Sequence, residues 1–104
     1  MQAVIFEVVP HEGRAPRYFE LAAGLREELE KIDGFISVER FESLTTKGKL
    51  LSLSFWRDED AVKRWHTHVG HQAAQREGKE RVFKDFRIRV ATVIRDYTLK
   101  DRIA

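Results

Sequence analysis

Three histidines lie close together in the second half of the chain, at positions 66, 68 and 71. On a continuous helix His68 and His71, three residues apart, share a face, whereas His66 points elsewhere. Imidazole titrates near neutral pH, so His68 or His71 at the mouth of an apolar pocket could act as a general base on a phenolic or carbanion-forming proton. The alternatives are a metal site, for which no further ligand or second shell is identifiable, and ordinary surface or helix-capping histidines.

Two tryptophans precede these histidines and could shape a substrate pocket. Trp56 ends a strand-like pattern, where an aromatic side chain often lines a pocket mouth, and Trp65 falls on the apolar face of the following helical segment. Core packing is the competing interpretation of both tryptophans, because aromatic side chains dominate core energetics.

Arginines also recur within strand-like segments, at Arg40, Arg87, Arg89 and Arg95. One interpretation is that they bind an anionic substrate. The other is that they form ion pairs across strands or between subunits, with Glu39 or Glu42 as partners.

The hydrophobic pattern predicts the order β-α-β-β-α-β that must position these side chains. Alternating or apolar β-branched runs predict strands at 3–9, 35–43, 49–56 and 86–97. A three- and four-residue apolar spacing predicts one helix from Pro16 to Ile32, stopped by Gly34. A second helix is expected after the N-cap Asp58, with a break at Gly70 and a further piece from 71 to 82. This order is the ferredoxin-like plan, an α+β class with an antiparallel sheet.

The third strand is apolar on both of its faces, and the first strand is similar. Leu51, Leu53 and Phe55 fall on one face, while Leu50 and Trp56 fall on the other. An antiparallel sheet with one face in water alternates more cleanly than this. Because helices can cover only one face, we expect a second sheet from an identical subunit on the other, which makes a homodimer.

Composition limits the remaining possibilities. The 104 residues are the size of one domain, predicted over 3–97 with a C-terminal tail at 98–104. The absence of cysteine excludes disulfides, thiolate metal sites and cysteine nucleophiles. No signal peptide or apolar run of membrane-spanning length is recognisable, so a cytoplasmic protein without membrane contact is expected. The 19 basic and 17 acidic residues are interleaved, which does not indicate nucleic-acid binding.

The segment from Leu53 to Trp65 resembles the signature of the antibiotic biosynthesis monooxygenase family. It contains a strand ending in Trp56, an acidic helix start at 58–60, then Ala61 and an aromatic residue deeper in the helix. The stretch from His68 to Gln75 is similar to the segment after this signature in many members, and the resemblance covers roughly residues 3–97. It implies a homodimer whose two sheets form a dimeric α+β barrel, with a pocket between helices and sheet in each subunit.

The resemblance also implies which residues could form the site. In the members that oxidise polycyclic phenols to quinones without a cofactor, Trp56 is matched, while Ser52, Val62 and Phe41 stand where those enzymes use Asn, Tyr and His. In the haem-degrading members Trp65 is matched, but Gln75 stands where the haem-ligating His is needed. The predicted site is therefore catalytic at His68, His71, Trp56 and Ser52, and substrate-binding at Trp65, Val62 and Phe41, with no metal or cofactor.

Three functions remain as hypotheses. The first is a cofactor-independent monooxygenase that acts on a small aromatic or polycyclic metabolite, with haem degradation disfavoured by Gln75. The second is a non-catalytic dimeric module that binds a ligand or has a stress-related role. The third is RNA recognition, since the RNA recognition motif shares this topology. Lys49 and Leu51 occupy the positions where that motif needs stacking aromatics, which argues against a nucleic-acid partner.

Overall fold

A four-stranded antiparallel sheet with helices on one face makes up the chain in the computed structural model, which describes residues 1–101. The elements are β1 (Gln2–Pro10), α1 (Ala15–Gly24), α2 (Arg26–Glu30), β2 (Phe35–Glu42), β3 (Leu50–Trp56), α3 (Glu59–His66), α4 (Val69–Glu77), a π-helical turn (Gly78–Val82) and β4 (Phe83–Thr92). The predicted α+β class and ferredoxin-like order are confirmed. The first predicted helix is divided in two, and the second is broken, as expected, but at a different residue. None of the helices described is long and apolar enough to cross a membrane.

The sheet has the strand order β2-β3-β1-β4, so β1 and β3 form its centre. Strand β1 pairs with β3 from Gln2 opposite Trp56 to Val8 opposite Leu50. Since side chains alternate across a strand, this register separates two faces. The helix-facing side carries Val4, Phe6 and Val8, together with Leu50, Ser52, Ser54 and Trp56.

The opposite face of the sheet carries the second apolar set that the sequence predicted. Ile5, Leu51, Leu53 and Phe55 lie there, each partly buried by its neighbours in the sheet. Within residues 1–101, both core clusters and the lining contributed by helices α1 to α4 lie on the other side. Helices therefore cover one face of the sheet, as the pattern required.

The first predicted helix is interrupted at Leu25. Helix α1 ends at Gly24, and the N–H of Leu25 bonds back to the carbonyl of Ala22 before α2 starts at Arg26. Glycine inside a helix costs roughly 1 kcal/mol relative to alanine, which makes this a favourable point for the interruption. The apolar stripe survives it, because Leu21, Leu25 and Leu29 still line one cavity.

The second predicted helix begins as expected and breaks earlier than expected. The Asp58 carboxylate accepts a hydrogen bond from the Ala61 N–H at 2.9 Å, which confirms the predicted N-cap. The break lies at Thr67 and His68 rather than at Gly70, which sits in the first turn of α4. The reason is local capping: the Thr67 hydroxyl donates to the Lys63 carbonyl, and the His68 ring caps the next helix.

Strand β4 runs from Phe83 to Thr92, three residues earlier at its start and five residues shorter at its end than the predicted strand. Its partner β1 determines these limits, because pairing runs from Pro10 opposite Phe83 to Gln2 opposite Thr92. Of the predicted tail, residues 98–101 form a turn closed by Asp101, and residues 102–104 lie outside the described residues.

Candidate functional site

A cavity of about 420 Å³ lies between the sheet and the helices. Its floor is the helix-facing side of the sheet, including Phe6 and Ser52, and its walls come from α1, α2, α3 and α4. The walls are mostly apolar, with a few polar side chains directed into the space. A volume within the range of about 300–1,000 Å³ suits a small organic ligand.

Three aromatic rings along one wall of this cavity stack in sequence, and a fourth, that of His68, stacks on them from outside the lining. Trp56 is 1% exposed, and its indole N–H donates to the Ser54 hydroxyl at 2.9 Å. Its ring stacks near Trp65 with centroids 6.5 Å apart, and Trp65 stacks on His71 at 4.7 Å and on His68 at 5.2 Å. Because the Trp56 N–H is already bonded, this residue can offer a ligand only the face or edge of its ring. Both tryptophans therefore pack in the core and line the cavity.

His71 is the imidazole best placed to accept a proton from a molecule in the cavity. Its Nδ1 lies 3.1 Å from the backbone oxygen of Trp65. A carbonyl oxygen can only accept, so Nδ1 carries the hydrogen and Nε2 carries the lone pair. Burial lowers the pKa of His71 from 6.5 to about 4, which keeps the ring neutral at pH 7. The side-chain amide nitrogen of Gln75 lies 3.5 Å from Nε2 and can donate a long hydrogen bond to its lone pair, which a substrate would replace.

His68 serves a different purpose from the predicted one. Its Nδ1 accepts the backbone N–H groups of Gly70 at 3.1 Å and His71 at 3.3 Å, so it caps α4 and does not line the cavity. His66 lines the cavity instead. The expectation that His68 and His71 share a face away from His66 is wrong, because the helix break resets the 3.6-residue phase between them.

The structure brings five of the seven predicted site residues to the cavity: Ser52, Trp56, Val62, Trp65 and His71. Phe41 is not among them. It pairs with Leu51 on the opposite face of the sheet, where it is 43% exposed. A substrate in the cavity could not reach Phe41, so its predicted substrate-binding role does not fit this geometry.

Arg40 reaches the cavity although it was considered only as one of several strand arginines. It lies opposite Ser52 in the sheet and lines the cavity floor. Among the described residues it forms no ion pair with Glu39 or Glu42, whereas Arg89 does pair, with Glu7 at 3.2 Å. The sequence does contain a signal for Arg40: it lies two residues after Val38 in a strand, and residues two apart share a face of the sheet. Val38 packs under the helices, so Arg40 is on the same side.

The side chains of the cavity do not match a haem or metal centre. Gln75, at the position that the resemblance assigns to a haem ligand, lines the cavity with an amide that is no substitute for imidazole. Across residues 1–101, no three His, Asp or Glu side chains are grouped so that they could hold a metal ion. The polar groups that remain suit proton transfer and hydrogen bonding.

Comparison with known proteins places the chain among relatives. The family model described as antibiotic biosynthesis monooxygenase matches residues 1–77. A jasmonate monooxygenase, ABM, of Pyricularia oryzae is 46% identical over 93 residues, which is 89% of this chain and 43% of that protein. The chain thus spans less than half the length of this fungal relative. The uncharacterized protein YqjZ of Bacillus subtilis is 32% identical over 93 residues, with 89% of this chain and 79% of that protein covered.

Solved structures share the fold at low sequence identity. Rv0793 from Mycobacterium tuberculosis has a TM-score of 0.81 at 16% identity, covering 93% of this chain and 98% of that one. SnoaB from Streptomyces nogalater, described as a cofactor-independent oxygenase, has a TM-score of 0.77 at 13% identity, covering 91% of this chain and 94% of that one. At such identities the likeness concerns the fold alone.

Proposed function

The chain belongs to the antibiotic biosynthesis monooxygenase family, and from that premise we propose that it is a cofactor-independent monooxygenase of a small, ring-containing metabolite. One observation carries the proposal: the proton-free Nε2 of His71 lies at an apolar cavity that Trp56 and Trp65 line. The family and one relative support the reaction class, since the family is described by its monooxygenases and the relative from Pyricularia oryzae is named a jasmonate monooxygenase.

The proposed reaction begins with proton transfer from the substrate to Nε2 of His71. The resulting carbanion or phenolate, delocalised over its rings, then gives electrons directly to dioxygen. When an activated CH₂ group becomes C=O, the substrate supplies all four electrons, one oxygen atom enters the product and the other leaves as water. No external reductant is then needed.

The low pKa of His71 does not prevent this step. An imidazole with a pKa of about 4 is a weak base toward a phenol in an empty cavity. As the substrate loses its proton, however, its negative charge lies beside the ring and stabilises the imidazolium. The Ser52 hydroxyl is proposed to donate a hydrogen bond to the developing oxyanion, and the apolar walls keep water away from it.

Oxygen uptake with a hydroxyanthrone tests this proposal. We expect uptake by the unmodified protein and a loss of roughly 10²–10⁴-fold in His71→Asn, since general-base help is typically of that size. His11→Asn, at an exposed position before α1, is the matched control and should retain full activity. A His71→Asn rate within threefold of the unmodified rate would show that His71 is not the base. Ligand binding without any uptake would favour the non-catalytic module.

We also propose that two chains associate through the open face of the sheet. Ile5, Leu51, Leu53 and Phe55 form an apolar strip there that no helix of residues 1–101 covers. A second copy of the same strip would bury it and place the two cavities on the outer sides of a two-sheet core.

A further inference from the structure

We propose that Arg40 is the anchor for a carboxylate, so that the molecule bound in the cavity is an amphipathic monoacid. Arg40 projects from β2 into a cavity whose walls are otherwise mostly apolar. A guanidinium is charged at every physiological pH, and a charge held against apolar walls is costly unless an anion accompanies it. This inference rests on the proposed function only for the claim that the bound acid is the substrate.

The hydrogen bonding of Arg40 is incomplete. Its Nε is buried and has no partner, and it is the one such side-chain atom found within residues 1–101. Two other arginines have carboxylate partners: Arg17 donates to Glu77 at 2.8 Å, and Arg57 donates to Asp33 at 3.0 Å. Buried polar groups in native proteins are nearly always satisfied, so an unsatisfied one calls for a specific explanation. Nε itself has no accessible surface, so an anion would meet the rest of the guanidinium, where Arg40 lines the cavity and has no acidic partner among the described residues.

The chemistry of the surroundings favours a carboxylate over a more highly charged group. A planar guanidinium donates two parallel hydrogen bonds to a carboxylate, and for Arg40 these would come from the two terminal nitrogens. Glu59 and Lys63 both line the cavity with opposite charges, so Arg40 leaves a net charge of one, which a monoanion balances and a phosphate dianion exceeds. The rest of the lining, including Phe6, Val38 and Ile88, requires an apolar body on the same molecule.

A matched pair of ligands tests the anchor directly. 1-Naphthylacetate and 1-naphthylacetamide have the same ring and nearly the same shape, and differ in the charge that Arg40 would recognise. Calorimetric titration of the unmodified protein should give a dissociation constant roughly tenfold or more lower for the acid than for the amide, as charge-assisted bonds are the stronger ones. In Arg40→Gln the two constants should become equal, with that of the amide unchanged.

A control variant tests whether the preference for the acid is specific to Arg40. Arg87→Gln, on the opposite face of the sheet, should keep the preference for the acid. The unliganded Arg40→Gln protein should melt at the same temperature as the unmodified one or higher, because it loses a buried N–H group that has no partner. Replacing an arginine that stabilises the fold would lower the melting temperature. Equal binding of acid and amide to the unmodified protein, a preference that survives in Arg40→Gln, or no binding of either ligand would each overturn the proposal.

Failure of this inference is distinguishable from failure of the proposed function. Binding of the acid that depends on Arg40, without oxygen uptake from any substrate, would leave the anchor standing and remove the oxygenase. Oxygen uptake with a neutral hydroxyanthrone that is unchanged in Arg40→Gln, together with equal binding of acid and amide, would leave the oxygenase standing and remove the anchor.

Discussion

Replacing His71 by asparagine should change how the stability of the protein depends on pH. The buried ring is neutral in the folded chain, with Nδ1 donating to the Trp65 carbonyl. Asparagine can place its amide nitrogen near the position of Nδ1, so it can keep that hydrogen bond while losing the group that titrates. The substitution thus separates protonation of the ring from its bonding.

The direction and size of the effect depend on the two pKa values. Folding lowers the pKa of His71 from 6.5 to about 4. Between these values the unfolded chain holds the proton and the folded chain does not, so the free energy of unfolding falls as the pH falls. The full shift corresponds to at most about 3 kcal/mol, and partial exposure of the ring to solvent reduces this to about 2 kcal/mol. Above pH 6.5 this contribution disappears.

Urea denaturation followed by tryptophan fluorescence, at one protein concentration and from pH 7 to pH 4.5, measures the effect. The unmodified protein should lose about 1–2 kcal/mol more than His71→Asn over this range. Comparing the two proteins cancels the carboxylates, such as Asp33, whose pKa is lowered by its hydrogen bond from Arg57 and which also lose stabilisation in acid. His11→Asn should behave as the unmodified protein does. A constant difference between His71→Asn and the unmodified protein would refute a buried neutral His71.

Three further predictions concern the fold, the dimer and haem. Gly34→Ala should lower the free energy of unfolding by about 2–4 kcal/mol, because Gly34 has a φ of 94° and a Cβ there would lie 2.7 Å from the Cβ of Ala61 in α3. The control Gly48→Ala, at a φ of 80° with open space around the new Cβ, should lower it by about half as much in the same urea assay. In sedimentation equilibrium, Leu53→Asp should convert the dimer into a monomer, whereas Leu44→Asp, in the exposed turn between β2 and β3, should leave the dimer intact. A mass of 12.2 kDa for the unmodified protein would exclude the proposed dimer. Haem should bind weakly, and a stoichiometric Soret shift that is lost in His71→Asn would contradict this.

The order of strands and helices along the chain and the start of the second helix could be predicted because they depend on local patterns. Alternation over 35–43 and an acidic turn after Asp58 each specify their own element, whatever lies elsewhere in the chain. The lengths of the elements depend on partners. Strand β4 ends at Thr92 because β1 pairs with it no further, although its alternating pattern continues.

The assignment of residues to the cavity was less successful, and the errors have a common cause. A side chain can be assigned to the cavity from sequence only if the periodicity that places residues on each face of its element is unbroken. That periodicity is lost wherever a helix or strand is irregular. The break at Thr67 and His68 separates His66 and His71 from the helical spacing that assigned their faces. The capping that makes the break depends on one rotamer of His68, which periodicity does not encode.

The second strand shows the same effect in a sheet. The register between β2 and β3 shifts between Phe35 and Ser37. Strict alternation would place Phe35 and Val38 on opposite faces of the sheet, but because of this shift both pack in the core cluster around Trp56. In a strand, a displacement of one residue exchanges the two faces. Placing a substrate-binding residue in β2 by family resemblance is therefore sensitive to a single position. Moving that assignment by one residue replaces Phe41, on the open face, with Arg40, whose unpaired guanidinium lies in the cavity.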